Sequence, residues 1–207
     1  MMLSDATRRS LERNSREYAS RLTGPALGYL VEERRITKEA LAEFRLGYTA
    51  DSPAVGDPPH RISFPYLTGS GVVQIRFRSL DPDPGDYKYL GVKGVPTTLY
   101  NTRVLTESHQ KIYVTEGETD CITGWICGLP TVGIPGAKAW KAGYWRAFRY
   151  REVVFVADAG KAGSELAQAV SRDIQDCRVV EAPEDDLNYH YCTYGIKSTR
   201  ELVGLRD

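Results

Sequence analysis

Three short stretches of this 207-residue sequence place carboxylates where the chain turns out of an apolar run. In Val114-Thr115-Glu116-Gly117-Glu118-Thr119-Asp120, Glu116 closes the run, Gly117 permits a tight turn and Asp120 falls in the first turn of a following helix. Phe155-Val156-Ala157-Asp158-Ala159-Gly160-Lys161-Ala162-Gly163 repeats the arrangement with Asp158, and Pro183-Glu184-Asp185-Asp186-Leu187-Asn188 supplies a third acidic turn. Hard oxygen ligands converging on one edge are what magnesium requires, and phosphoryl-transfer sites use two such ions about 3.5–4 Å apart. Taken singly, Asp120 is explained by a helix N-terminus and Asp158 by a turn. Three acidic turns in succession are harder to explain that way.

The elements that must position these groups follow from the apolar pattern. After residue 110 the sequence alternates short apolar runs with helical patterns: 112–115, 121–127, 130–133, 138–148, 153–157, 166–174 and 178–181. The continuous run Val153-Val154-Phe155-Val156-Ala157 suits a strand covered on both faces of a parallel sheet. Such sheets bind ligands at the carboxyl ends of their strands, where the acidic turns fall. This half, 110–207, reads as a small doubly wound parallel sheet.

The half before it, 1–109, reads as α+β. Leu11, Ser15, Tyr18 and Leu22 keep helical spacing, and Thr23-Gly24-Pro25 breaks that helix. Ala26, Leu27, Leu30 and Val31 start a second helix with Pro25 near its first turn; Thr37 is an N-cap for a third whose inner face carries Ala40, Leu41 and Phe44. Residues 51–59 form a loop. The period then becomes two: Ile62, Phe64 and Tyr66, a Gly-rich turn, then Val73, Ile75 and Phe77 form a hairpin with one apolar face. Gln74, Arg76 and Arg78 share the other face, with Arg61 at its mouth.

With these elements in place, the sequence resembles a known family. Glu116-Gly-x-x-Asp120, Asp158-x-x-x-Ala162-Gly163 and Asp186-x-Asn188 are similar to the three acidic motifs of the Toprim fold, and the upstream segments resemble DnaG-type primases in particular. These segments are Glu33-Arg-Arg35-Ile through Phe44-Arg-Leu-Gly47-Tyr, Arg61-Ile-Ser-Phe-Pro65, Gly71-Val-Val…Arg78 and Lys88-Tyr89-Leu90. The resemblance covers roughly residues 25–190. It implies a primase catalytic core that joins nucleotides on single-stranded DNA, with Glu116 and Asp158 catalytic and Glu116, Asp120, Asp158 and Asp186 holding Mg²⁺ or Mn²⁺. Arg35, Arg61, Arg78, Lys88 and Asn188 would contact nucleoside triphosphate or template, whereas Arg76 has no family match.

Two departures stand out. Toprim proteins usually carry Asp-x-Asp where this sequence has Asp158-Ala159-Gly160. Glycine offers no ligand, so either Asp185 or water substitutes, the site runs with one firm ion, or the chain is a weakened or engineered form. The second departure is that DnaG-type primases carry a zinc-binding module before the core and helicase-binding regions after it. Here Cys121, Cys127, Cys177 and Cys192 form no C-x-x-C pair, and His60, His109 and His190 are scattered, so no zinc site is expected. The resemblance to compact phage and plasmid cores implies a separate zinc-binding protein and a replicative helicase as partners. Initiation from bare template is then expected to be weaker than primer extension.

Composition fits these expectations. Lysine plus arginine and aspartate plus glutamate each number 27, a formal net charge of zero that disfavours a passive, non-specific nucleic-acid binder. No apolar run approaches the roughly 20 residues of a membrane span, and reduced cysteines suit the cytoplasm, a host's if the protein is viral. A Toprim nuclease would need the acidic cluster without the upstream segments, and a non-catalytic remnant binding single strands or a replication partner would be favoured by Gly160. A topoisomerase would need a strand-passing domain that this length does not accommodate.

Overall fold

The structure, a computed structural model, describes residues 3–51 and 59–205, so most of the loop expected at 51–59 lies outside the described residues. The chain divides into two compact units, Met1–Thr97 and Thr98–Asp207. The division falls before the boundary expected near residue 110, for a local reason. Tyr100 exchanges backbone hydrogen bonds of 2.8 and 3.1 Å with Gly133, and the Asn101 side chain donates to the Thr131 carbonyl. These contacts tie the segment after residue 97 to the second unit.

In the first unit, Ser4 caps α1 (Asp5–Ser20), accepting the Thr7 N–H, and Thr37 caps α3 (Lys38–Glu43), accepting from Ala40. Between them, α2 (Gly24–Gly28) continues as one π turn over Tyr29–Glu33. Four antiparallel strands follow in sequence order: β1 (Gly47–Thr49), β2 (Arg61–Thr68), β3 (Gly71–Ser79) and β4 (Tyr89–Gly91). Leu11 of α1 packs on Val72, Ile75 and Phe77 of β3, and the Tyr18 ring meets Phe77 edge-on at 5.8 Å.

The hairpin departs from strict alternation. Tyr66 pairs with Gln74 but Leu67 pairs with Val72, so Val73 is an extra, bulged residue. Val72, not the expected Val73, therefore takes the core position. The bulge also turns Gln74 inward. Its amide donates to the Val95 carbonyl and accepts from the Ile75 and Val92 N–H groups, so it braces the sheet instead of joining an outer basic face.

The second unit is a parallel sheet in the order β6-β5-β7-β8, built from β5 (Lys111–Glu116), β6 (Thr131–Ile134), β7 (Glu152–Ala157) and β8 (Cys177–Glu181). β7 is covered on both faces, as its composition demands. Val153, Phe155 and Ala157 pack with Leu166 and Val170 of α5 (Lys161–Asp173), while Val154 and Val156 pack with Cys127, Leu187 and Tyr191 on the opposite side. Burying each large side chain stabilises the fold by roughly 1.5–3 kcal/mol. A one-residue slip would exchange the two faces, so the register is firmly set.

α4 (Glu118–Ile126) and α6 (Leu187–Leu202) cover that second face, and α6 is interrupted at Gly195. The helical pattern read over 138–148 closes only as a short 3-10 turn, Tyr144–Phe148, so the β6–β7 crossover carries no α-helix. Among the described residues, no helix is long and apolar enough to cross a membrane. The α/β class expected from the sequence holds: helices with an antiparallel sheet, then a doubly wound parallel one.

Candidate active site

The strand order fixes where a ligand site belongs. From β5 the chain crosses through α4 to β6 on one side, and from β7 through α5 to β8 on the other, with the two helices on opposite faces. The order therefore reverses between β5 and β7. A crevice opens outside the carboxyl ends of two strands at such a point. Glu116 ends β5 and Asp158 follows β7 directly.

Both strand ends turn into their helices through the same device. Gly117 (φ 91°, ψ 169°) and Gly160 (φ 94°, ψ −173°) are the N-caps of α4 and α5, in a backbone region open essentially only to glycine. Gly160 thus satisfies a backbone demand at the position where the Toprim motif that the sequence resembles carries a second aspartate. A Cβ there would meet open space, so the constraint is conformational and not steric. Gly163 answers a different need: a Cβ there would lie 2.0 Å from the Asp158 carbonyl oxygen, so its absence lets α5 close against the strand end.

The third acidic turn is drawn to the same edge by the backbone. Ala182 N–H donates to Ala157, and Ala159 N–H donates to the Asp185 carbonyl at 2.7 Å. Asp186 then caps α6, accepting the Tyr189 N–H at 2.6 Å. The electrostatic consequence falls on Asp158. Burial, and then the nearby charges of Glu116, Asp186 and Asp185, raise its carboxyl from the ordinary 3.8 to about 8. Burial also raises Glu116, against the lowering effect of the Ala137 N–H that it accepts. Glu116 Oε2 is buried and has no hydrogen-bond partner among the described residues.

An unsatisfied buried carboxylate oxygen beside mutually repelling acids suits a divalent cation, because such an ion would remove both penalties. As the side chains stand, no three His, Cys, Asp or Glu residues among the described residues form a closed ligand group. Asp120, one of the four expected carboxylates, also supports the fold. Its side chain is buried and its Oδ1 accepts the Asn188 N–H at 2.8 Å, so it fastens α4 to α6. Asn188 is itself wholly buried, donating its amide to Thr123 Oγ1 at 2.9 Å. That places it in the support of the site and not on a ligand-facing surface. Glu116, Asp158 and Asp186 come together, joined by Asp185, which the sequence offered only as a substitute for the missing aspartate.

The expected basic residues belong to the first unit. Arg78 lies between two rings, 5.1 Å from the Tyr29 centroid and 5.5 Å from that of Tyr89, and donates to the Tyr89 hydroxyl. Arg34 also lies 5.3 Å from the Tyr29 centroid and donates to its hydroxyl, and Arg76 lies 5.0 Å from that of Tyr89, giving a cluster of guanidinium and phenol groups. Sequence reading missed Tyr29, whose only signal was its place in a helical pattern. Lys88 and Arg35 are exposed, Arg35 with a left-handed φ of 50°. Arg61 differs. It is wholly buried and donates to the Tyr87 carbonyl at 2.8 Å, so it fixes the 81–88 loop from inside and presents no charge at a mouth.

Fold and strand-end carboxylates together define a protein with the architecture of a primase catalytic core. The RNA polymerase domain of the Mycobacterium tuberculosis primase DnaG matches with TM-score 0.77 at 19% identity, over 98% of this chain and 84% of that one. The primase fragment of the bacteriophage T7 primase-helicase protein matches with TM-score 0.66 at 20% identity, over 83% of this chain and 72% of that one. No family model matches the chain. In sequence it is 39% identical over 149 residues to the Gene 57 protein of Mycobacterium phage D29, covering 69% of this chain and 97% of that protein. The chain belongs to the family of that phage protein.

Proposed function

We propose that the protein is a DNA primase catalytic core that makes short primers on single-stranded DNA by metal-dependent nucleotidyl transfer. The carrying observation is the acidic cluster at the topological switch point, where Glu116 keeps an unsatisfied buried oxygen and Asp158 is raised to about 8 by burial and three neighbouring acids. Such a group of anions costs stability unless a cation completes it. Glu116, Asp158 and Asp186 would hold Mg²⁺ or Mn²⁺, with Asp185 beside them. The ion supplies charge neutralisation for a triphosphate and ionisation of a primer hydroxyl.

What the chain contributes is position. The glycine turns at Gly117 and Gly160 aim Glu116 and Asp158 from adjacent strands, and Asp120 and Asn188 lock the helices behind them. Asp158 must lose its proton before it can hold a cation, so metal affinity should climb as pH rises toward 8. Arg78 in its Tyr29–Tyr89 slot, with exposed Lys88 and Arg35, would face phosphates of template or nucleotide. A separate zinc-binding protein and a replicative helicase complete the proposed partners, without a zinc site in this chain, and the cytoplasm is the proposed location. An end-labelled single-stranded template, incubated with nucleoside triphosphates and Mg²⁺ or Mn²⁺, tests the reading. New strands complementary to an intact template support it. A shortened template without new strands means a nuclease, and neither product means a binding module.

A further inference from the structure

The far end of the second unit carries a surface that the catalytic reading does not use. The 3-10 turn Tyr144–Phe148 leads into the amino end of β7, and residues 172–176 lead into the amino end of β8. The acidic cluster lies at the carboxyl ends of the same parallel strands, about 20 Å away for a six-residue strand.

Tyr150 is the unusual residue here. It is 96% exposed, the most exposed large hydrophobic side chain of the described residues, and has a φ of 65°. A bulky residue in that region bears strain of roughly 1–2 kcal/mol, and an exposed ring returns no packing to offset it. The neighbours enforce the conformation. Phe148 is buried on one side, and on the other the Arg151 guanidinium donates to the carbonyls of Leu105, His109 and Ala147. Strain held in place by its surroundings clusters at ligand clamps and switch regions.

The groups around Tyr150 share one chemistry. Arg149 lies 5.3 Å from the Trp145 ring and 5.7 Å from the Tyr150 ring, and Arg146 lies 5.2 Å from Trp145. Beside them a cavity of about 450 Å³ runs between Trp145, Tyr150 and Arg172. Of the acids near this face, Asp173 accepts from Trp140 and Arg172, Glu107 pairs with His109, Glu152 pairs with Lys111, and Asp176 is exposed. Arg172 is matched by Asp173 and Arg151 is turned onto backbone carbonyls, whereas Arg146 and Arg149 have no acidic partner among the described residues, so the face offers an anion two unpaired cations. Flat rings interleaved with guanidinium groups suit unpaired bases with their phosphates.

We propose that this face is a second nucleic-acid site, which stacks an unpaired base of a single strand on Tyr150 and Trp145 and holds the adjoining phosphates with Arg146 and Arg149. It would bind template or product on the side away from the acidic cluster, and it stands whether or not that cluster catalyses polymerisation.

The probe is an oligothymidylate carrying iodouracil, crosslinked by ultraviolet light to the intact chain and mapped by peptide mass spectrometry, with affinity read by fluorescence anisotropy. A crosslink in the peptide holding Trp145 and Tyr150 is expected. Tyr150→Ala should abolish it and weaken binding roughly 5- to 50-fold, Arg149→Ala should weaken binding and flatten its salt dependence, and Tyr150→Phe should retain both the crosslink and the affinity. Tyr150→Gly, which relaxes the backbone, should fold at least as well as wild type and still bind weakly. Glu116→Gln should leave the crosslink intact, which separates this site from the catalytic one. A crosslink confined to other peptides, or unchanged affinity in Tyr150→Ala, overturns the proposal. So does loss of self-association in sedimentation without loss of oligonucleotide binding, which would make the face a protein interface.

Discussion

Replacing Asp158 with asparagine should make the metal-free protein more stable while destroying its response to divalent metal. The carboxyl lies at about 8 in the fold against an ordinary 3.8. Between those values the folded protein holds a proton that the unfolded chain has released. Stability therefore falls as pH rises from near 4 through about 8, and levels off above. Each unit of pKa difference corresponds to about 1.4 kcal/mol, so the ceiling at pH 7, about three units above the unfolded value, is about 4 kcal/mol. Asp158 keeps partial contact with water, which brings the expected gain in Asp158→Asn to roughly 1–3 kcal/mol, or about 3–10 °C in melting temperature. Thermal unfolding in chelator at pH 5, 7 and 8.5 reads it. The advantage of the variant should be small at pH 5 and largest at pH 8.5, and Mg²⁺ or Mn²⁺ should stabilise wild type only. A variant less stable than wild type at pH 8.5, or an advantage independent of pH, would refute the reasoning that burial and neighbouring acids strain this carboxyl.

The backbone makes further demands that substitutions can probe. Gly160→Asp supplies the residue usual in the Toprim motif that the sequence resembles but forces an L side chain to φ 94°, so a loss of roughly 1–3 kcal/mol and no gain in activity are expected, read by melting and nucleotide incorporation. Gly163→Ala drives a methyl toward the Asp158 carbonyl; it should destabilise the second unit by a few kcal/mol, about 2–4, and lower metal affinity, measured by calorimetry. Arg61→Leu leaves the Tyr87 carbonyl without its donor and should cost roughly 1–3 kcal/mol in denaturant unfolding. Lys88→Ala should leave stability alone and reduce the salt dependence of single-strand binding in anisotropy titrations.

The second unit could be read in the sequence because its signals are local. A continuous apolar run such as Val153–Val156 can be satisfied only by cover on both faces, and acidic residues that close such runs fall at one edge by topology. The turn before α3 was legible for the same reason, since Thr37 acts within three residues of itself. What the sequence hid depends on partners distant along the chain. Asp120 also fastens α4 to α6 by accepting the Asn188 N–H, 68 positions away, a supporting role that its local motif does not mark. Arg61 looks like a rim charge until the 81–88 loop folds over it. The bulge at Val73 shifts the inward residue by one place, a change that alternation alone does not mark. Residues 138–148 have helical spacing, yet they close only one 3-10 turn. Tyr29 acquires its role only when β3 and β4 bring Arg78 and Tyr89 beside it.

The most direct test compares wild type with Glu116→Gln for incorporation of labelled nucleotide on a primed single-stranded template, at fixed Mn²⁺ and salt, with melting curves taken alongside. Glutamine keeps the size of the side chain and removes the charge that a hard cation needs. Template-dependent incorporation by wild type, lost in a variant that melts at or above the wild-type temperature, is the expected result. Incorporation at the wild-type rate by a folded Glu116→Gln protein would contradict the assignment of the β5–β7 crevice as the catalytic centre.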